Sequence, residues 1–324
     1  MHDGSVHHVA LGVKDLEMMR QFYENTLEFN MVFLEIEEAE HNVMCEVLKT
    51  PRVVFSGVSF GQGAQGIALE LIRMVDPIPR PIRRDFRYGD IGVAKITIAV
   101  SDVAELYKEL KDKVSFCSEP RTAVIPRWGD YHLVYCRDPE RNIIEFVSSA
   151  NVSRQARFGG VRWAGIGVTN LDRSVSFYQK RLGLDKIFID IHESFSGLLD
   201  EVAGAAGARV RSCLLGSSKD GGMVELFEVV NPRGRSIPFG VNFGDFGYLQ
   251  VCFYHRDIDR ITASCRDGGI EFLSSLKVMD DGIPEHAGSF IYIRDPDGIP
   301  VEFLALHHLA DTSLIRQAES GSFG

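Results

Sequence analysis

Four stretches of the chain place apolar residues at alternate positions and then run into an aspartate or asparagine. They cover residues 6–11, 95–100, 161–168 and 250–254, and the residues beyond them are Asp15, Asp102, Asn170 and Asp257. A period of two predicts strands. A short polar side chain just beyond predicts the N-cap of a helix, where it accepts a bond from a free backbone amide. The first helix is predicted over 16–26, with Met18, Phe22 and Tyr23 at helical spacing. Three short strands follow, separated by glycine-rich or polar turns such as 60–63 and 219–222. The predicted unit is β-α-β-β-β.

The unit recurs at nearly constant spacing. Residues 6–16, with Phe22-Tyr23 and Leu27-Glu28-Phe29, match residues 161–171, with Phe177-Tyr178 and Leu182-Gly183-Leu184. The offset is 155 (Trp163 against His8), and it holds for 95–103 against 250–258 and for 68–72 against 223–227. The run 138–146 answers 295–303 at an offset of 157 (Glu302 against Glu145). Four landmarks matched in order mark a duplicated chain whose halves are themselves two modules each. The expected fold class is α+β: four βαβββ modules, at about 5–80, 91–150, 158–232 and 246–306. They fall in consecutive domains, 1–150 and 158–310, joined by a polar linker at 150–160. The polar tail 311–324 is expected to be mobile.

Composition narrows the function classes. A chain of 324 residues with 45% hydrophobic and 25% charged residues has material for about two cores, and is neither disordered nor fibrous. Its 35 Lys and Arg against 45 Asp and Glu, a formal charge of −10, argue against a nucleic-acid-tracking surface. The one basic cluster, 80–87 with prolines between, reads as a solvated linker. No signal pattern and no apolar run of membrane-spanning length is present, so no membrane partner and a cytoplasmic location are expected. The six cysteines are scattered and never in C-x-x-C spacing, which predicts free thiols, mostly buried. There is no phosphate-binding loop or dinucleotide fingerprint.

Chemistry concentrates at two positions of each module. Seven residues before the helix caps stand His8, Lys95, Trp163 and Gln250; on the matched later strands stand Glu70, Glu145, Glu225 and Glu302. A Glu flanked by apolar residues on a strand faces away from them. Four such carboxylates would converge on the concave sheet faces, where an unpaired charge is costly. A metal ion or a cationic side chain would remove that cost.

These residues resemble the vicinal oxygen chelate superfamily, which includes glyoxalases, epimerases, fosfomycin and bleomycin resistance proteins and extradiol dioxygenases. The marks are His8-Val9-Ala10-Leu11 with Asp15-Leu16 and Phe22-Tyr23, and Arg294-Asp295-Pro296-Asp297-Gly298 with Glu302-Phe303; the likeness covers 6–306. It implies that paired modules form glyoxalase-like cradles of curved mixed sheet with outer helices, with metal ligands on the first and last strands. Pairing in chain order would group His8, Glu70, Lys95 and Glu145, and separately Trp163, Glu225, Gln250 and Glu302. Pairing the first module with the fourth groups His8, Glu70, Gln250 and Glu302, a full set of nitrogen and oxygen ligands. Lys95, Glu145, Trp163 and Glu225 then form a filled second site. Fused glyoxalases combine modules in this second way, and that is the arrangement expected here.

The resemblance implies one divalent ion (zinc, nickel, manganese, cobalt or iron) and a small-molecule substrate with adjacent oxygens. The implied enzyme is an isomerase, lyase or epimerase working through an enediolate-like intermediate, with Glu302 or Glu70 moving the proton. Tyr292, ten residues before Glu302, resembles the acid of ring-cleaving relatives, and a dioxygenase is the alternative; Gln250 stands where those relatives place a second His. A third reading is a non-catalytic binding or resistance protein. His286 is a candidate for the cavity mouth, and His7 is expected on the face opposite His8 unless the strand is bulged. The duplication completes both cradles in one chain, so a monomer or homodimer is expected.

Overall fold

Every helix cap predicted above is made. In the computed structural model Asp15 accepts from the Met18 amide, Asp102 from Ala104 and Glu105, Asn170 from Arg173, and Asp257 from Arg260. The structure describes residues 3–62, 66–83, 85–126, 128–151, 156–191, 199–217, 221–237, 239–279 and 287–307. The tail 311–324, His286 and part of the 150–160 linker lie outside them.

The first module comprises β1 (Ser5–Gly12), α1 (Leu16–Gln21), β2 (Met31–Glu40), α2 (Cys45–Leu48), β3 (Val54–Gly61) and β4 (Ala68–Asp76). After α1 the chain makes a wider helical turn, Phe22–Thr26, so the predicted helix has its expected extent but two geometries. The second has β5 (Gly92–Val100), α3 (Val103–Leu110), β6 (Ser115–Phe116), β7 (Arg121–Ile125), β8 (Gly129–Arg137) and β9 (Ile143–Ser148). Here the edge strand is split: β6 and β7 both pair with β8. Pro120 stands between them and has no N–H to give a ladder. The third has β10 (Phe158–Gly167), α4 (Leu171–Leu182), β11 (Lys186–Ile191), α5 (Asp200–Ala203), β12 (Arg209–Gly216) and β13 (Met223–Asn231). The fourth has β14 (Gly247–Tyr254), α6 (Ile258–Asp267), β15 (Lys277–Met279), β16 (Gly288–Arg294) and β17 (Pro300–Leu306).

Two sheets result, and each mixes the halves of the chain. One runs β15-β16-β17-β14-β1-β4-β3-β2, the other β11-β12-β13-β10-β5-β9-β8-β6. The first module therefore pairs with the fourth and the second with the third. At the centre of each sheet two first strands meet antiparallel, β1 with β14 and β10 with β5, flanked by parallel partners.

Alternation sends Val9, Leu11, Val251 and Phe253 to the face away from His8 and Gln250. There they join one continuous apolar cluster with Met19, Leu106, Tyr178 and Cys265 from the helical segments. That cluster draws on all four modules, so the halves share a core. All six cysteines are free; Cys136, Cys213, Cys252 and Cys265 are buried. Among the described residues no helix is long and apolar enough to cross a membrane.

The basic segment 80–87 is not the solvated linker its composition suggested. Arg80 binds the buried Asp245 at 2.9 Å, Arg83 lies 3.7 Å from the buried Asp90, and Pro81 pairs with Phe246. Asp245, remote in sequence, and Asp90, just beyond the segment, neutralise part of the cluster and pin it to the sheet ends.

Candidate metal centre

Register alone assembles the outer site. Across β4, β1 and β14, Glu70 sits beside Ala10 and Ala10 beside Gln250. One row along, His8 sits beside Cys252 and Cys252 beside Glu302. The two rows are related by the duplication, each placing a small residue between two polar ones. That spacing leaves room for the longer side chains to turn inward over it. His8, Glu70, Gln250 and Glu302 thus meet in one cradle.

The geometry there is that of a site short of positive charge. His8 Nε2 lies 3.2 Å from Glu302 Oε2 and 3.5 Å from Glu70 Oε2. Gln250 Nε2 donates to Glu302 Oε2 at 2.8 Å and to the Tyr292 hydroxyl at 3.0 Å. His8 Nε2 and Gln250 Oε1 are buried without a hydrogen-bond partner. A buried acceptor left unmatched costs about 1–3 kcal/mol. Two buried carboxylates, a ring nitrogen and an amide oxygen form a donor set that fits a divalent cation of intermediate softness.

The electrostatics agree with that reading. Burial lowers the His8 pKa, but Glu70 and Glu302 outweigh it and raise it overall. Burial, then the nearby Glu302 charge, raises the Glu70 carboxyl against the opposing pull of His8. Burial pushes the Tyr292 hydroxyl well above its ordinary value, so it keeps its proton. Around the polar centre Phe55, Met74, Phe243 and Phe290 form an apolar wall continuous with Cys252 and Tyr292.

Two neighbours of the site were not placed there by sequence. The ladder slips between Val6 and His8, making His7 the extra residue of a bulge. Its Nδ1 lies 2.9 Å from His8 Nδ1, and the rings meet edge to face. Burial and the adjacent His8 lower the His7 pKa to about 3, so His7 stays neutral while its contact occupies His8 Nδ1 and His8 Nε2 faces the carboxylates. Cys252 is fully buried, and its ligand atom falls within 4.8 Å of those of His7 and His8. Strand alternation from Gln250 would have found it.

The inner cradle resolves the same charge problem differently. Lys95, 1% exposed, lies between Glu145 and Glu225, at 2.7 Å from the latter. Tyr135 donates to Glu145 at 2.9 Å, Thr97 at 2.6 Å, and Ser212 donates to Glu225 at 2.8 Å. Trp163 is buried against the cluster and leaves a cavity of only about 50 Å3. Gly165 lies between Lys95 and Glu225 in the ladder, and a Cβ there would come within 2.6 Å of the lysine stem. Among the described residues this second set carries a built-in ammonium between its two carboxylates, where the first has an imidazole.

A family model described as Glyoxalase/Bleomycin resistance protein/Dioxygenase superfamily matches residues 5–146 and again 160–303. No curated protein matches the chain in sequence. Among solved structures, glyoxalase I from Zea mays is 17% identical with a TM-score of 0.62, over 99% of this chain and 97% of that one. A Bacillus subtilis protein described as a dioxygenase is 14% identical with a TM-score of 0.56, over 94% of this chain and 86% of that one. At these identities the likeness speaks for the fold.

Proposed function

The chain belongs to the glyoxalase, bleomycin resistance protein and dioxygenase superfamily, and from that premise we propose that it is a metal-dependent isomerase, lyase or epimerase acting on a small molecule with two adjacent oxygens. One observation carries the reading: His8, Glu70, Gln250 and Glu302 converge from four strands, with His8 Nε2 and Gln250 Oε1 buried and unmatched. These four would hold one divalent ion, of zinc, nickel, manganese, cobalt or iron. Such an ion, when bound, supplies Lewis-acid polarisation of a substrate carbonyl beside a second oxygen.

The chain's own groups account for the rest of the chemistry. Among the described residues no neutral hydrogen-bond donor holds the charge of Glu70, and its carboxyl is raised by burial, which suits it to take a proton from the carbon beside the carbonyl. Glu302 is fixed by the Gln250 amide, and either carboxylate can return the proton on the other side. Tyr292 orients the amide through its hydroxyl, and the phenylalanine and methionine wall keeps the centre dry.

A ring-cleaving dioxygenase is the second reading, favoured by the buried Tyr292 hydroxyl beside Glu302 and Gln250. Against it stands Gln250, an amide where oxygen-activating iron sites of two His and one carboxylate need the second imidazole. Elemental analysis of purified wild type, His8→Ala and Gln250→Ala tests the metal set. Both variants are expected to retain less metal than wild type and, in metal titration, to bind it at least about tenfold more weakly, since removing even a partner of a ligand costs that much. Full metal in Gln250→Ala would remove that residue from the set, and aerobic cleavage of catechol or hydroquinone with iron would reverse the order of the two readings.

A further inference from the structure

Outside both cradles, a groove of about 560 Å3 opens between the 80–87 segment, the turn joining β8 to β9, and α5. Five cationic side chains line it, Lys14, Arg83, Arg87, Arg137 and Arg141, with three carboxylates, Asp85, Glu140 and Glu201. The carboxylates are already engaged. Asp85 takes Arg235 at 2.6 Å, Glu201 takes Arg121 at 2.8 Å, and Glu140 accepts the backbone amides of Lys14 and Asp15 at 2.8 and 2.9 Å. Arg83 is near Asp90. Arg137 spends its end nitrogens on two neutral carbonyls, those of Arg141 at 2.7 Å and Phe86 at 3.4 Å.

Lys14, Arg87, Arg137 and Arg141 are therefore left, among the described residues, without a carboxylate partner. Against them stands one carboxylate that no cation closes, Glu140, so the concavity keeps an excess of positive charge on a chain of formal charge −10. The duplication shows that the fold does not require three of them. In the other half Arg294 holds the Gly298 carbonyl at 2.7 Å just as Arg137 holds that of Arg141, so this one arginine is architectural. The counterparts of Lys14, Arg87 and Arg141 are Thr169, Asn242 and Gly298, all uncharged. There Asp297 is closed off by Arg173 at 2.6 Å and by Thr169. One half has a neutral turn, and the other an unpaired basic groove.

Between the cations the groove floor is apolar, made by Val93, Ile143, Val202 and Phe246. We infer that this groove binds a small organic anion, a phosphate or carboxylate head on an apolar body. The head is recognised by Arg87 and Arg141, whose guanidiniums suit planar, charge-assisted bonding to such oxygens.

Calorimetric titration of the full chain with phenyl phosphate, benzoate and inorganic phosphate at low salt tests this. One phenyl phosphate or benzoate is expected to bind saturably, and the tighter of the two identifies the head. Arg87→Gln/Arg141→Gln should weaken it at least about tenfold while keeping wild-type metal content and melting temperature. Arg87→Lys/Arg141→Lys should restore part of the loss, because the charge returns without the fork. His8→Ala should bind as wild type, which separates this groove from the metal centre. No saturable binding by either organic anion, binding unchanged in the double Gln variant, loss in His8→Ala, or inorganic phosphate binding as tightly as the organic anions would each overturn the inference.

Discussion

The ammonium of Lys95 and the imidazole of His8 occupy related strands and face corresponding pairs of glutamates, yet they leave those glutamates in different states. Lys95 gives its pair a permanent positive charge: Glu145 and Glu225 raise its pKa against the burial that would lower it. His8 supplies a positive charge to Glu70 and Glu302 only by taking a proton, which under the proposed function it would give up to a bound metal ion. On that reading the outer cradle is open to exchange and the inner one is not. Removing the ammonium should expose the difference. Lys95→Met leaves two carboxylates buried without a cation and is expected to cost about 3–5 kcal/mol in urea denaturation. Lys95→Met/Glu145→Gln, with one carboxylate neutralised, should recover a substantial part. A loss below about 1 kcal/mol in the single variant would mean that the charges there are hydrated.

At the scale of elements, close approach between strand ends and linkers sets the tolerances. Gly12 ends β1 where a Cβ would stand 1.9 Å from the Asp245 carbonyl, and Gly167 ends β10 at 2.2 Å from that of Asp90. Those contacts are with backbone, so neither can yield by rotating a side chain. Gly12→Ala is expected to lower unfolding free energy by about 1–3 kcal/mol, read by chemical denaturation, through overpacking. The strands, caps and module boundaries at these positions were legible because each depends on local pattern: period two, a capping Asp or Asn, a repeat offset. The offset marked His8, Glu70, Gln250 and Glu302 as matched positions, and their grouping in one cradle was expected only through the family resemblance. His7 was not, because a bulge belongs to the pairing of two strands and leaves no trace in one. Nor was the fate of Arg80, whose partner Asp245 lies 165 positions along the chain. Composition shows a charge but not what a remote segment brings to it.

Over the whole molecule the two sheets are tied through paired Tyr–Asp contacts. Tyr23, beyond α1, donates to Asp138 at the end of β8, and Tyr178 of α4 donates to Asp295 at the end of β16. Each bond joins one sheet to the other, and burial pushes both aspartates up to about 7. A carboxyl raised in the fold binds its proton more tightly than in the unfolded chain, whose value is about 3.9. Its stabilisation is therefore complete below about pH 4 and is lost as pH rises through about 7. Asp138→Asn does not titrate there, so the stability gap between wild type and this variant should narrow by a few kcal/mol between pH 4 and 8. A gap that is constant with pH would place the Asp138 pKa near its unfolded value. The interleaving of modules has one more consequence, for a chain emerging from the ribosome. The sheet containing Lys95 has all its strands once residue 231 has appeared, whereas the first module must wait for a partner that ends at residue 306. Domains fold as they are synthesised, so a message cut short after the third module would encode a chain able to close the sheet of Lys95 and never the sheet of the candidate metal centre.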